Sequence, residues 1–180
     1  MPSLSPTTPP SPWVVQHSAL IDSAGLVLDL AAGSGRHTHF LRETGHTVVA
    51  VDRDVTALVA LVDPRVEIVA ADLEGGAAWP LAERRFAGIV VTNYLHRPLL
   101  PHLIRSLAPG GVLIYETFAA GNERFGKPSN PAFLLAPGEL LAFAQEHGLT
   151  VLGYFSGEVS QPKPAIVQRL AARLTQPAAT

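Results

Sequence analysis

Three carboxylates at the ends of apolar runs set the chemical problem. Asp29 closes Leu26-Val27-Leu28-Asp29, Asp52 closes Val48-Val49-Ala50-Val51-Asp52, and Asp72 follows Val69-Ala70-Ala71. Between the first two lies the turn Ala31-Ala32-Gly33-Ser34-Gly35, followed by Arg36. Gly33 and Gly35 let a ligand lie against the backbone without interference from a Cβ. A helix that starts after them offers unpaired N–H groups and the positive end of its dipole. A carboxylate at Asp52, ending the second strand of a βαβ unit, can accept both hydroxyls of a ribose. Asp72, ending the third, can accept from an adenine amino group. The three acids would share the carboxyl edge of a sheet, where ligands of open α/β folds bind.

The turn also says which nucleotide it suits. In the dinucleotide fingerprint G-x-G-x-x-G the third glycine permits close helix–strand packing. Counted from Gly33, that place holds Thr38. An acid at Asp29 would repel a pyrophosphate, whereas it suits a ligand with a cationic amino group. Other nucleotide and nucleophile motifs fail: no Gly-Lys-Ser/Thr follows the turn, and Ala32 and Arg36 stand where a serine elbow needs glycines.

These residues need strands and helices to hold them. Short strands, apolar at nearly every position, are expected at 26–30, 47–51, 66–70, 88–92 and 112–117, as in a parallel sheet buried on both faces. Helices are expected at 36–43, 55–62, 101–107 and 137–146, with Asp54 capping the second and Pro137 in the first turn of the last. Alternation of the two implies right-handed crossovers and an α/β, doubly wound, mostly parallel Rossmann-like sheet. Segments 150–157 and 165–170 are separated by too short a loop for a crossover, so they are expected to form a C-terminal antiparallel strand pair. Residues 171–174 fit a continuing strand or a helix.

Composition bounds the rest. The 180 residues suit one domain, 47% hydrophobic and 16% charged, with net charge −2. Five prolines among the first twelve residues make 1–12 an expected flexible lead-in to a single domain at 13–175, and 176–180 are expected to fray. No cysteine is present, which removes disulfides, thiolate metal sites and a Cys nucleophile, and fits a reducing compartment. The seven histidines form no ligand motif, so no metal is expected. The opening residues do not read as a secretory signal and no apolar run is long enough to span a bilayer, so the expected location is cytoplasmic, with no membrane role. With no basic field, nucleic acid is an unfavoured partner.

The ordered motifs LDLAAGSGR, VVAVDRD, AADL, FAGIVVTNYLH and LAPGGVLIYET resemble those of class I S-adenosylmethionine-dependent methyltransferases. The resemblance covers roughly residues 13–173, and GSGRHT is similar to the turn of the tellurite-resistance-type subgroup. It implies S-adenosylmethionine as cofactor, with Asp29, Ala31, Gly33 and Gly35 at its methionine end. It further implies Asp52 and Arg53 at the ribose, Asp72 and Leu73 at the adenine, and Asn93 beside the sulfonium. Ala31 stands where the family has a glycine.

The acceptor side rests on two segments. Asn93, Tyr94, His96 and Arg97 follow the fourth strand; His96 is a candidate general base because its ordinary pKa lies near neutrality. Glu116 ends the fifth strand and, if buried, needs a cation, for which Arg97 is a candidate. Asn93, His96 and Glu116 are thus the candidate catalytic residues. The long segment 119–136 reads as a lid, with Tyr94, Arg97, Asn122 and Phe125 as candidate substrate contacts and Phe133 and Leu134 pinning it to the core. The expected activity is methyl transfer to an unidentified small molecule. An NAD(P)-dependent oxidoreductase, a non-enzymatic nucleotide-binding module and an RNA methyltransferase are the alternatives.

Overall fold

The computed structural model of the protein describes residues 8–76 and 78–175. Seven strands form one sheet: β1 (Leu26–Leu30), β2 (Thr47–Asp52), β3 (Val66–Ala70), β4 (Phe86–Thr92), β5 (Leu107–Phe118), β6 (Leu149–Val159) and β7 (Ala165–Leu174). Their order is β3-β2-β1-β4-β5-β7-β6. The first five run parallel, and β7 lies antiparallel to both β5 and β6. This is the doubly wound sheet with an antiparallel pair expected from the sequence. Residues 171–174 continue β7 as strand.

Burial on both faces explains why the central strands are apolar throughout. Leu28, Leu30, Ile89, Val91, Leu113 and Tyr115 face one core, which is shared with Leu103, Leu140 and Phe143 from helices on that side. Val27, Val90, Val112 and Ile114 face the other, with Val14, Ile21 and Leu41. Chain order reverses between β1 and β4, so a crevice opens beyond their carboxyl ends, the usual ligand position of such sheets.

The helices are α1 (Pro12–His17), α2 (Arg36–Glu43), α3 (Leu100–Ser106) and α4 (Glu139–Glu146). Helix α1 was not expected. Ser11 caps it, its Oγ accepting from the Trp13 N–H at 3.1 Å, and Pro12 takes the first helical position, where a missing N–H costs nothing. Residues 8–12 are therefore docked by Ser11, which is buried and donates its own N–H to His37 Nε2 at 3.0 Å. Residues 1–7 and 176–180, expected to be loose, lie outside the described residues.

The expected helix at 55–62 is also corrected. Only a single 3-10 turn forms, Val59–Leu61. Val55, Thr56, Val59 and Val62 are β-branched and poor helix formers, and Val59 and Val62 stay exposed because the sheet needs only Leu58 and Leu61 from this segment. Asp54 still acts locally, its Oδ1 accepting from the Thr56 N–H at 3.0 Å. Leu107 starts β5 rather than ending α3, and Gly138 in left-handed conformation, not Pro137, precedes α4. Among the described residues no helix is long and apolar enough to cross a membrane.

Candidate functional site

The turn after β1 is built by three left-handed residues: Ala31 (φ 54°), Gly33 (φ 55°) and Gly35 (φ 77°). The two glycines do different work. A Cβ on Gly35 would fall 2.4 Å from Leu61 Cδ1 and 2.7 Å from Leu58 Cδ2, so Gly35 lets the 58–61 segment pack against the turn. A Cβ on Gly33 would meet nothing within 4 Å, so its face is open to a ligand. The Gly33 N–H donates to Asp52 Oδ2 at 2.8 Å, and Asp52 Oδ1 accepts from the Asp54 N–H at 3.0 Å. Asp52 thus ties the turn to the end of β2, a role that spacing alone did not suggest.

Beside this turn lies a groove of about 440 Å³, lined by Ala31, Asp52, Arg53, Ala71, Asp72, Leu73, Glu74, Tyr94 and Phe133. Five residues expected at the cofactor meet here: Ala31, Asp52, Arg53, Asp72 and Leu73. Three carboxylates, Asp52, Asp72 and Glu74, face one guanidinium, Arg53. Such a wall suits a cationic ligand and opposes a pyrophosphate. Tyr94, expected at the substrate, lines this groove instead. Its hydroxyl is buried without a hydrogen-bond partner among the described residues, and burial together with the Glu74 carboxylate pushes the phenol pKa up. Phe133 reaches the groove from the long loop while remaining 46% exposed. It was expected only to pin the loop; its place follows from how the loop folds back, which no local motif encodes.

Asp29 sits behind the turn rather than on the groove wall. It is 2% exposed, and Thr38 Oγ1 donates to its Oδ2 at 2.6 Å. Burial raises its pKa to about 6, while the Thr38 hydrogen bonds and the Arg36 charge pull it down. Thr38, at the place of the absent third glycine, therefore has a positive task as a donor to this acid.

The acceptor-side residues are dispersed. Asn93 is left-handed (φ 53°), and its N–H donates to the Glu116 carbonyl at 2.9 Å. Asn93 and Glu116 line a second cavity of about 340 Å³ on the other side of the turn. Glu116 is buried and does find a cation, but the partner is Arg169 on β7, not Arg97. Arg97 is fully engaged elsewhere. It makes a bidentate pair with Glu139 (Nε–Oε1 2.6 Å, Nη2–Oε2 2.8 Å) and donates to the carbonyls of Ala132 at 3.0 Å and Leu134 at 2.9 Å. It braces the long loop against α4 and lines neither cavity.

Three further candidate residues lie away from both cavities. Asn122 is 2% exposed; its Nδ2 donates to the Pro128 carbonyl at 3.0 Å and its Oδ1 accepts from the Ile166 N–H at 3.1 Å. It is an internal clamp between the loop and β7. Phe125 lies under the Arg124 guanidinium, 4.7 Å from centroid to Cζ, and lines neither cavity. His96, half-buried at the turn before α3, makes no side-chain hydrogen bond among the described residues and also lines neither cavity. The 119–136 loop itself is stitched to β5 through Leu135 N–H to Phe118 O (3.0 Å) and Ala120 N–H to Leu135 O (2.9 Å), so only Phe133 borders the groove.

Residues 27–111 match the family described as a methyltransferase domain. The chain is 34% identical over 124 residues to a trans-aconitate 2-methyltransferase from Azoarcus sp., an alignment covering 66% of this chain and 47% of that protein. The chain thus spans about half the length of the curated relative it matches. In fold it is similar to TehB from Haemophilus influenzae (TM-score 0.74, 19% identity, 93% of this chain and 63% of that one). It is similar as well to the 1,6-didemethyltoxoflavin-N1-methyltransferase of Burkholderia thailandensis, solved with 1,6-didemethyltoxoflavin and S-adenosylhomocysteine (TM-score 0.66, 23% identity, 91% and 76%).

Proposed function

We propose that the chain is a class I S-adenosylmethionine-dependent methyltransferase and that it transfers a methyl group from S-adenosylmethionine to a small molecule. The observation that carries this reading is the acid-lined groove beside an open Gly33 at the point where strand order reverses. S-adenosylmethionine is a cation at its sulfonium and its amino group, and this wall suits it. A dinucleotide would bring its pyrophosphate against Asp52, Asp72 and Glu74, which weighs against an oxidoreductase.

Asp52 would hold the ribose with Arg53 beside it, Asp72 and Leu73 would meet the adenine, and Ala31 and Gly33 would face the methionine end, with Gly35 serving only to pack the turn on the 58–61 segment. Asp29, one layer back, would counter the amino group's charge through the turn. When bound, S-adenosylmethionine supplies a methyl carbon that an acceptor's lone pair attacks in line, the C–S bonding pair returning to sulfur. The protein's part is orientation and exclusion of water. Asn93 is the best placed of the three candidate catalytic residues, because it lines the second cavity while its neighbour Tyr94 lines the groove. Glu116, held by Arg169, braces that cavity's wall. His96 would act as a base only after moving toward it. A small-molecule acceptor is supported by the small molecules in the names of the relatives, and by a net charge of −2 that offers nucleic acid no field. A cysteine-free chain of this kind suits the cytoplasm.

Calorimetric titration with S-adenosylhomocysteine, with NAD as control, tests the reading. Asp52→Ala should weaken S-adenosylhomocysteine by about 1.5–3 kcal/mol, the worth of hydrogen bonds to a charged group. Tight NAD binding with no response to S-adenosylhomocysteine would overturn it.

A further inference from the structure

The second cavity differs in character from the groove. Its walls are mostly apolar: Pro9, Pro10 and Pro12 from the docked lead-in, Phe118 from β5, and Val159 and Val167 from the β6–β7 hairpin. Its ionic groups are few. Glu116 and Arg169 pair with each other across β5 and β7, and the Arg169 guanidinium also lies over the rings of Trp13 (6.0 Å) and Phe155 (5.4 Å). That pair is neutral and fixed in place. The two remaining cations, Arg36 and Lys163, have no carboxylate partner among the described residues. Arg36 donates only to the Pro9 carbonyl at 3.3 Å, and Lys163 stands exposed on the turn between β6 and β7.

We propose that this cavity binds the methyl acceptor, and that the acceptor is a small apolar acid, of one or two rings in size, whose anionic group is held between Arg36 and Lys163. The identification as acceptor site rests on the methyltransferase reading above; the class of ligand rests on the cavity alone. Size supports it, since about 340 Å³ lies at the lower end of small-molecule sites. So does charge. The groove presents three carboxylates and the cavity two unpaired cations, so a cationic donor and an anionic acceptor are sorted electrostatically to opposite sides of one backbone segment. Asn93 and Tyr94, consecutive in the chain, line the cavity and the groove respectively, so the two sites meet at that segment. Apolar walls reward a hydrocarbon body, while a guanidinium and an ammonium reward a carboxylate.

The lead-in gains a purpose in this arrangement. Pro9, Pro10 and Pro12 form one wall, and the Ser11 N–H to His37 bond fixes that wall to α2, the helix that carries Arg36.

The test uses the full chain and two matched probes, 2-naphthoate and the neutral 2-naphthalenemethanol, titrated calorimetrically with and without saturating S-adenosylhomocysteine. Naphthoate should bind saturably, roughly ten-fold or more tighter than the alcohol, as a charge-assisted hydrogen bond requires. Lys163→Glu, an exposed turn substitution, should weaken naphthoate by about ten-fold or more and leave S-adenosylhomocysteine affinity unchanged. Arg36→Gln should weaken naphthoate as well. The inference is overturned if naphthoate shows no saturable binding, if the alcohol binds as well, or if Lys163→Glu leaves naphthoate unaffected. Failure of S-adenosylhomocysteine to bind while naphthoate behaves as stated would instead overturn the donor reading and leave the cavity's ligand class standing.

Discussion

Replacing Asp29 by Asn should stabilise the folded protein at neutral pH. Asp29 is 2% exposed, and its pKa rises from 3.8 to about 6 on folding, chiefly through loss of hydration. Between those values the folded chain holds a proton that the unfolded chain has released, so stability falls as pH rises through the window and the full penalty persists above pH 6. A shift of this size corresponds to about 3 kcal/mol. Asn cannot ionise, and its Oδ1 can accept the same hydrogen bond from Thr38 Oγ1. The shift already includes the stronger bond that the carboxylate accepts from Thr38, so the net gain is about 3 kcal/mol at pH 7.5 and falls to roughly 0.5 kcal/mol at pH 4. His37 acts in the opposite sense. Burial lowers its pKa from 6.5 to about 3, so its contribution is present above pH 6.5 and is lost as pH falls through the interval. Both proteins contain His37, so it cancels in the difference between them. The assay is urea unfolding of wild type and Asp29→Asn across pH 4–8, plotted as the difference in unfolding free energy. A difference that is flat with pH, or a variant less stable at pH 7.5, would refute the reasoning. If the buried charge is kept for a cationic ligand, the same variant should bind S-adenosylhomocysteine more weakly while being the more stable protein.

Gly33→Val should keep the fold at a cost of about 1–2 kcal/mol for a left-handed β-branched residue, since its side chain meets nothing, yet abolish S-adenosylhomocysteine binding; retained affinity in calorimetry would place the ligand elsewhere. Ala31→Gly should raise the thermal midpoint slightly, a gain of roughly 0.5 kcal/mol left after relief of left-handed strain is set against glycine's greater unfolded-state freedom; a lower midpoint contradicts it. Asn122→Ala should cost roughly 2–4 kcal/mol, because it orphans the Ile166 N–H and the Pro128 carbonyl. Hydrogen exchange should then quicken in the 119–136 loop without loss of S-adenosylhomocysteine affinity, and an unaltered loop would count against the clamp.

The parts of the fold legible in the sequence are those governed by local rules. Strands buried on both faces announce themselves as continuous apolar runs, and the turn after β1 is written in its glycines. The acids at strand ends followed from topology, which is why Asp52 and Asp72 were found together in the groove. Pairings between distant elements were not legible. Arg97 reaches Glu139 on α4 and Glu116 reaches Arg169 on β7, and both partners come from sequence far downstream. Asn122 looked available because it is polar and in a loop, yet the backbone groups it satisfies come into reach only after folding. Helix α1 was hidden by prolines, although Ser11-Pro12 is itself a helix-start signal when the proline is read as a first-turn residue.

The placement of β7 between β5 and β6 also orders events during synthesis. Ala165–Leu174 leaves the ribosome after every other strand, yet it is the one both neighbours need. Until it emerges, β5 carries an open edge and β6 has no partner, so the nascent chain passes through a stage with unsatisfied backbone on two strands. The five parallel strands can associate before then, and the acid-lined groove draws its walls from the chain up to Phe133. The apolar cavity draws walls from both the lead-in and β7, and Glu116 has no counter-charge until Arg169 arrives. A growing chain therefore completes its acid-lined groove first and its apolar cavity last, when the earliest and latest described segments finally meet.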